Sequence, residues 1–105
     1  HVGVTMFAIV TKYRGPTERR GSCIRASMHG LKAAYRAAVV SYEPGMSAEE
    51  NHEQGFRALV AKLGSGHGFW ASWSLAADTR VWVPVLVPFR DRRALGGSNV
   101  VEVKP

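Results

Sequence analysis

The chain has 105 residues, 46% hydrophobic and 21% charged, with a net charge of +6. That is the length of one domain and the balance of a globular chain, which excludes wholesale disorder and a second independent core. The longest apolar run, Val81 to Val87, is far short of the roughly 18 residues a membrane helix needs, and the lone Cys23 excludes an internal disulfide or a multi-cysteine zinc site.

The charge is unevenly spread. The first 42 residues hold seven basic side chains against one acid, Glu18, and Arg90-Asp91-Arg92-Arg93 forms a second basic group. A basic face attracts polyanions, and arginine matches phosphate oxygens. The opening residues HVGVTMFAIV lack a basic leader and do not read as a signal peptide. With a free cysteine and no Asn-x-Ser/Thr sequon, the expected setting is cytoplasmic.

Val4 to Tyr13 is rich in β-branched and aromatic residues and predicts a strand. RGPTERRG, residues 14 to 21, predicts an exposed loop. Ser22 to Met28 alternates as a second strand, with Ile24, Ala26 and Met28 on one face and Cys23 and Arg25 on the other. Together they form a hairpin with an arginine-bearing loop. Leu31 to Tyr42 fits a helix at its start and a strand at its end, and a strand over Arg36 to Tyr42 is the favoured reading.

Ser47-Ala48-Glu49-Glu50 is a capping box. Phe56, Leu59, Val60 and Leu63 follow at i, i+3, i+4 and i+7, and Gly64 closes the element. The helix is therefore predicted from Ala48 to Leu63. His52, four residues before Phe56, falls on its core side and reads as a half-buried histidine bonded to the sheet or a neighbouring loop. Phe69 to Leu75 and Arg80 to Val87 predict a hairpin, with Pro84 directing the second strand towards an edge or a bulge. The tail from Pro88 is either unstructured or adds a short strand near Val100 to Val103. The expectation is a single two-layer α+β domain, order β-β-β-α-β-β, with one helix packed on a curved antiparallel sheet.

Catalytic and metal patterns are absent from the sequence: there is no GxSxG, no HExxH and no HxH. The GSGHG stretch after the helix has the glycines of a phosphate loop without its Lys-Ser/Thr ending. No enzyme activity, cofactor or metal is expected. The functional expectation is nucleic-acid binding, DNA or RNA, with little sequence preference. Lys12, Arg14, Arg19, Arg20, Arg25 and Arg36 would contact phosphates, with Arg92 and Arg93 as a second patch. Tyr13, Trp73 and Trp82 are the candidates for stacking or an interface. Trp70 and Trp73 differ by an odd number and must face opposite ways on a strand, so one of them is core. The alternative is a protein-interaction module that inhibits or modulates a host or defence protein, with exposed aromatics and an open sheet edge as its surface and an acidic host protein as its partner. A homodimer through a sheet edge other than the Pro84 strand is also compatible with the pattern.

The segments KYRGPTERRGSCIRA, residues 12 to 26, and SYEPGMSAEENHEQGFRALVAKLG, residues 41 to 64, carry a resemblance. The pattern of Lys12-Tyr13, Thr17, Gly21-Ser22, Ile24, Ala26, Tyr42, Glu50-Asn51-His52, Ala58-Leu59 and Lys62-Leu63-Gly64 resembles small uncharacterised proteins of bacterial plasmids, phages and related mobile elements. The resemblance implies a mobile-element context, supports a strand before Tyr42, and carries no activity to transfer. Cys23 stands where the pattern has a basic residue, and Gly55 where it has alanine.

Overall fold

A computed structural model describes residues 8–29, 37–64, 68–85 and 99–104. In chain order the elements are β1 (Ala8–Arg14), β2 (Cys23–His29), β3 (Ala37–Ser41), α1 (Ala48–Leu63), β4 (Gly68–Ala76), β5 (Thr79–Val85) and β6 (Asn99–Val103). The strands form one antiparallel sheet in the order β3-β2-β1-β5-β4-β6. This is the expected α+β arrangement of one helix on an antiparallel sheet, with the tail supplying a sixth strand against β4.

The helix forms where its local signals place it. Ser47 Oγ accepts from the Glu50 amide at 3.1 Å, and Glu50 Oε1 accepts from the Ser47 amide at 2.9 Å. Those bonds satisfy two of the orphan donors of the first turn. Gly64 takes the left-handed conformation at φ 72° and donates to the Val60 and Ala61 carbonyls. Lys62 reaches from the last turn to the Ala37 carbonyl at 2.8 Å and ties the helix to β3.

The apolar stripe of α1 lies against β1, β2 and β3. Trp70 on β4 and Val101 and Val103 on β6 reach the same core, so the sheet curls around the helix. Phe56 is the hub. Its ring stacks on Trp82 with centroids 4.4 Å apart and planes 8° from parallel, and meets Trp70 edge-on at 5.0 Å. Each such aromatic pair contributes about 0.5–1.5 kcal/mol beyond its buried area. Immediately before Phe56, Gly55 lets the helix close on β2. A Cβ there would sit 2.6 Å from Ile24 Cγ2, inside contact distance.

Two expectations for β5 are corrected. Pro84 does not mark a sheet edge, because β5 lies between β1 and β4. The described pairing with β1 runs from Lys12↔Thr79 to Ile9↔Trp82, and Pro84 itself pairs with Trp70 on β4. The register shift is in β4 instead, between Ser74 and Ala76. Being interior, β5 offers no edge for a dimer; the outer strands among the described residues are β3 and β6.

Candidate functional site

The register sorts the basic residues by face. On β1, Ile9, Thr11 and Tyr13 point towards the helix, so Lys12 and Arg14 point to the other side. On β2 the inward residues are Ile24, Ala26 and Met28, which leaves Cys23 and Arg25 outward. Lys12 is directly opposite Arg25, and Arg14 is opposite Cys23. The β1–β2 loop carrying Arg19 and Arg20 rims the same end of the sheet, and the Arg20 guanidinium donates to Cys23 Sγ at 3.8 Å. Five of the eight expected phosphate-binding residues, Lys12, Arg14, Arg19, Arg20 and Arg25, are thus brought together. Arg36, Arg92 and Arg93 lie outside the described residues, as do Arg90 and most of the GSGHG stretch.

Among the described residues the ion pairs are Arg57–Glu53 and Arg80–Glu49, and neither involves this group of cations. Lys12 does feel the Asp78 carboxylate. Cys23 faces away from the helix as its alternation requires, yet it is only 3% exposed.

The aromatic candidates divide. Trp73 is outward and 39% exposed, beside Val81 and two strands from β1, about 10 Å across the sheet. Trp70 faces the core, as their odd spacing demands. Trp82 is not available for stacking on a partner and is corrected here. It is 2% exposed, stacked on Phe56, and its indole N–H donates to Thr11 Oγ1 at 2.9 Å. Tyr13 points to the helix side, half-buried, and meets Tyr42 edge-on at 5.1 Å.

A second cluster lies on that helix side, at the same end of the sheet. His52 is 5% exposed, and its Nδ1 is 2.8 Å from Thr11 Oγ1. Trp82 is a donor only, so the Thr11 hydroxyl accepts from its indole N–H and also bonds His52 Nδ1. Burial, reinforced by the Arg80 guanidinium, holds the His52 pKa below its ordinary value, against a hydrogen bond to the Thr11 main chain and the field of Asp78. Arg80 is itself anchored by Ser72 Oγ at 3.1 Å.

The neighbouring Asn51 is a structural residue. Its Oδ1 accepts from the Glu43 amide at 2.7 Å, and its Nδ2 donates to the carbonyls of Glu43, Met46 and Ser47. It is 1% exposed and fixes the loop that delivers Tyr42 and the helix start.

A cavity of about 240 Å³ opens here, lined by Tyr13, Tyr42, Ala48, His52, Ala77 and Asp78. The Tyr13 amide donates to the Asp78 carbonyl at 2.8 Å, which pins the β4–β5 turn beside β1. The Thr79 hydroxyl, donating to Asp78 Oδ1 at 2.8 Å, holds that carboxyl below the usual range, assisted by Lys12. A larger cleft of about 610 Å³ between the end of α1 and β6 has mainly aliphatic walls from Val60, Ala61 and Val103. It lacks the buried, oriented polar group that His52 supplies to the smaller one. Among the described residues, no group of three or more His, Cys, Asp or Glu side chains is placed to hold a metal ion. No described helix is long and apolar enough to cross a membrane.

The sequence pointed to His52 through its spacing from Phe56. It gave no signal for Thr11, Tyr42 or Asp78, which reach the cavity from elements far apart in the chain. Comparison of the chain with protein-family models, curated proteins and solved structures returns no significant match.

Proposed function

We propose that this chain is a small non-enzymatic nucleic-acid-binding protein that takes phosphates on the outer face of its sheet, an accessory of the mobile-element kind its motifs resemble. The reading rests on the cross-strand pair of Lys12 and Arg25, flanked by Arg14, Arg19 and Arg20. Like charges directly opposite one another destabilise a sheet. Here no described carboxylate is ion-paired to either member. An arrangement that costs stability in the free protein is relieved by a bound polyanion.

Trp73, exposed on the same face, supplies an aromatic surface on which an unpaired base stacks, and this favours single strands over duplex. Phosphate contacts of this kind position a strand without reading its sequence. The test is fluorescence anisotropy with labelled single- and double-stranded DNA and RNA at low and high salt. Binding that weakens steeply with salt and is tighter for single strands supports the reading. No binding at about 50 mM salt, where phosphate contacts are strong, overturns it and leaves the charge to complement an acidic protein.

A further inference from the structure

We infer that the cavity between Tyr13, Tyr42, His52 and Asp78 accepts a single unstacked nucleobase, and that its polar groups select guanine. The inference rests on the nucleic-acid reading above and names the part of the ligand that enters the protein.

The first argument is continuity. Arg14, Thr17, Arg19, Arg20 and Cys23 line one surface depression. Arg20 and Cys23 also line the next, which ends at Tyr42. Tyr42 is in turn a wall of the His52 cavity. A strand whose phosphates follow the arginines is led past Tyr42 to the cavity mouth.

The second argument is charge. The arginine-lined depressions are cationic and suit phosphate. The cavity holds a carboxylate and an imidazole kept neutral by burial, so it repels phosphate and favours an uncharged ring. Tyr13 and Tyr42 give that ring aromatic walls.

The third argument is the polar groups left over. His52 faces the cavity with its Nδ1 held by the Thr11 hydroxyl. Asp78 accepts from the Thr79 hydroxyl through Oδ1, and a carboxylate with about four acceptor positions has capacity left for a ligand. The cavity therefore offers a carboxylate acceptor beside two tyrosine rings. Guanine presents two adjacent donors, N1–H and N2–H, that one carboxylate accepts together. Adenine and cytosine each offer a single exocyclic amine to a carboxylate, and thymine offers one imide N–H between two carbonyls.

The experiment uses the full chain and three labelled strands: an oligothymidylate, the same strand with one central guanine, and the same strand with hypoxanthine there, which lacks the N2 amine. Guanosine, without phosphate, is titrated separately by NMR. The guanine strand is expected to bind roughly tenfold tighter than the oligothymidylate, with hypoxanthine between them, in line with the discrimination given by a bidentate pair. Asp78→Asn keeps an oxygen for Thr79 but loses the second acceptor. It should abolish the guanine preference and leave the salt dependence intact. Guanosine should shift the resonances of His52 and Tyr42.

Equal binding of all three strands with a steep salt slope overturns this inference and leaves the proposed function standing. Guanosine binding without oligonucleotide binding supports the cavity and overturns the phosphate track. Absence of both overturns both. A preference that survives in Asp78→Asn also overturns the assignment.

Discussion

Gly55 is where the packing account makes its sharpest quantitative commitment. In a helix interior, alanine is favoured over glycine by about 0.8–1.0 kcal/mol. A Cβ at Gly55 would stand 2.6 Å from Ile24 Cγ2, 3.4 Å from Ile24 Cβ and 3.8 Å from Val40 Cγ2. Ile24 is fully buried and β-branched, so its methyl has no easy alternative position. Overpacking of this kind costs about 1–3 kcal/mol. The expected net effect of Gly55→Ala is a loss of about 1 kcal/mol, or a melting point lower by about 4–8 °C. In an Ile24→Ala background the clashing methyl is gone and only the propensity gain remains. Gly55→Ala should then stabilise by up to about 1 kcal/mol, although Ile24→Ala alone costs about 2–5 kcal/mol. Urea denaturation of the four proteins of this cycle measures the coupling, expected at about 2 kcal/mol. The same sign for Gly55→Ala in both backgrounds would refute the close-approach argument.

Other consequences can be checked on the same footing. Thr11→Val strands the Trp82 N–H and His52 Nδ1 together, and should cost about 2–4 kcal/mol in denaturation, with Thr11→Ser recovering most of it. Ser47→Ala removes half of the capping box for about 1 kcal/mol, whereas Asn51→Ala unties the loop from Glu43 to Ser47 and should cost roughly 2–3 kcal/mol by thermal melting. The depressed His52 pKa makes the unfolded chain bind more protons than the folded one below the ordinary value of 6.5. Its contribution to stability is therefore complete above that value and is lost as pH falls through the lower, folded-state pKa. His52→Asn, which keeps an acceptor for Thr11, should flatten this acid limb in melting curves taken across that range; an unchanged limb would remove His52 as its source.

The helix was legible because its signals are local and agree. The capping box, the stripe from Phe56 to Leu63 and the left-handed Gly64 all lie within one stretch of sequence. The faces of β1 and β2 were legible because alternation there separates Ile24 and Ala26 from Arg25. Alternation fails in β5, where Val81, Trp82 and Val83 are all apolar. Only the pairing Ile9↔Trp82 and Ser72↔Trp82 decides that Trp82 is the inward one. Pro84 misled because a proline in a strand does not by itself say whether the strand is interior; the pairing of β5 with both β1 and β4 does. The cavity could not be read at all. Its walls come from β1, the β3–α1 loop, α1 and the β4–β5 turn, and nothing in the spacing of Tyr13, Tyr42, His52 and Asp78 announces that they meet.

The central claim is that the outer sheet face binds the nucleic-acid backbone, and the salt slope of a Lys12→Ala/Arg25→Ala variant tests it most directly. Both side chains lie on that face, and removing a like-charged cross-strand pair should not lower stability. With five cations engaged, single-strand affinity should fall about a hundredfold between about 50 and about 200 mM salt, and with three engaged roughly twentyfold. An Arg57→Ala/Lys104→Ala variant removes the same charge beside the cleft between α1 and β6 and serves as the control. The account predicts a shallower slope for the first variant and an unchanged slope for the second. Equal slopes in both variants would contradict it.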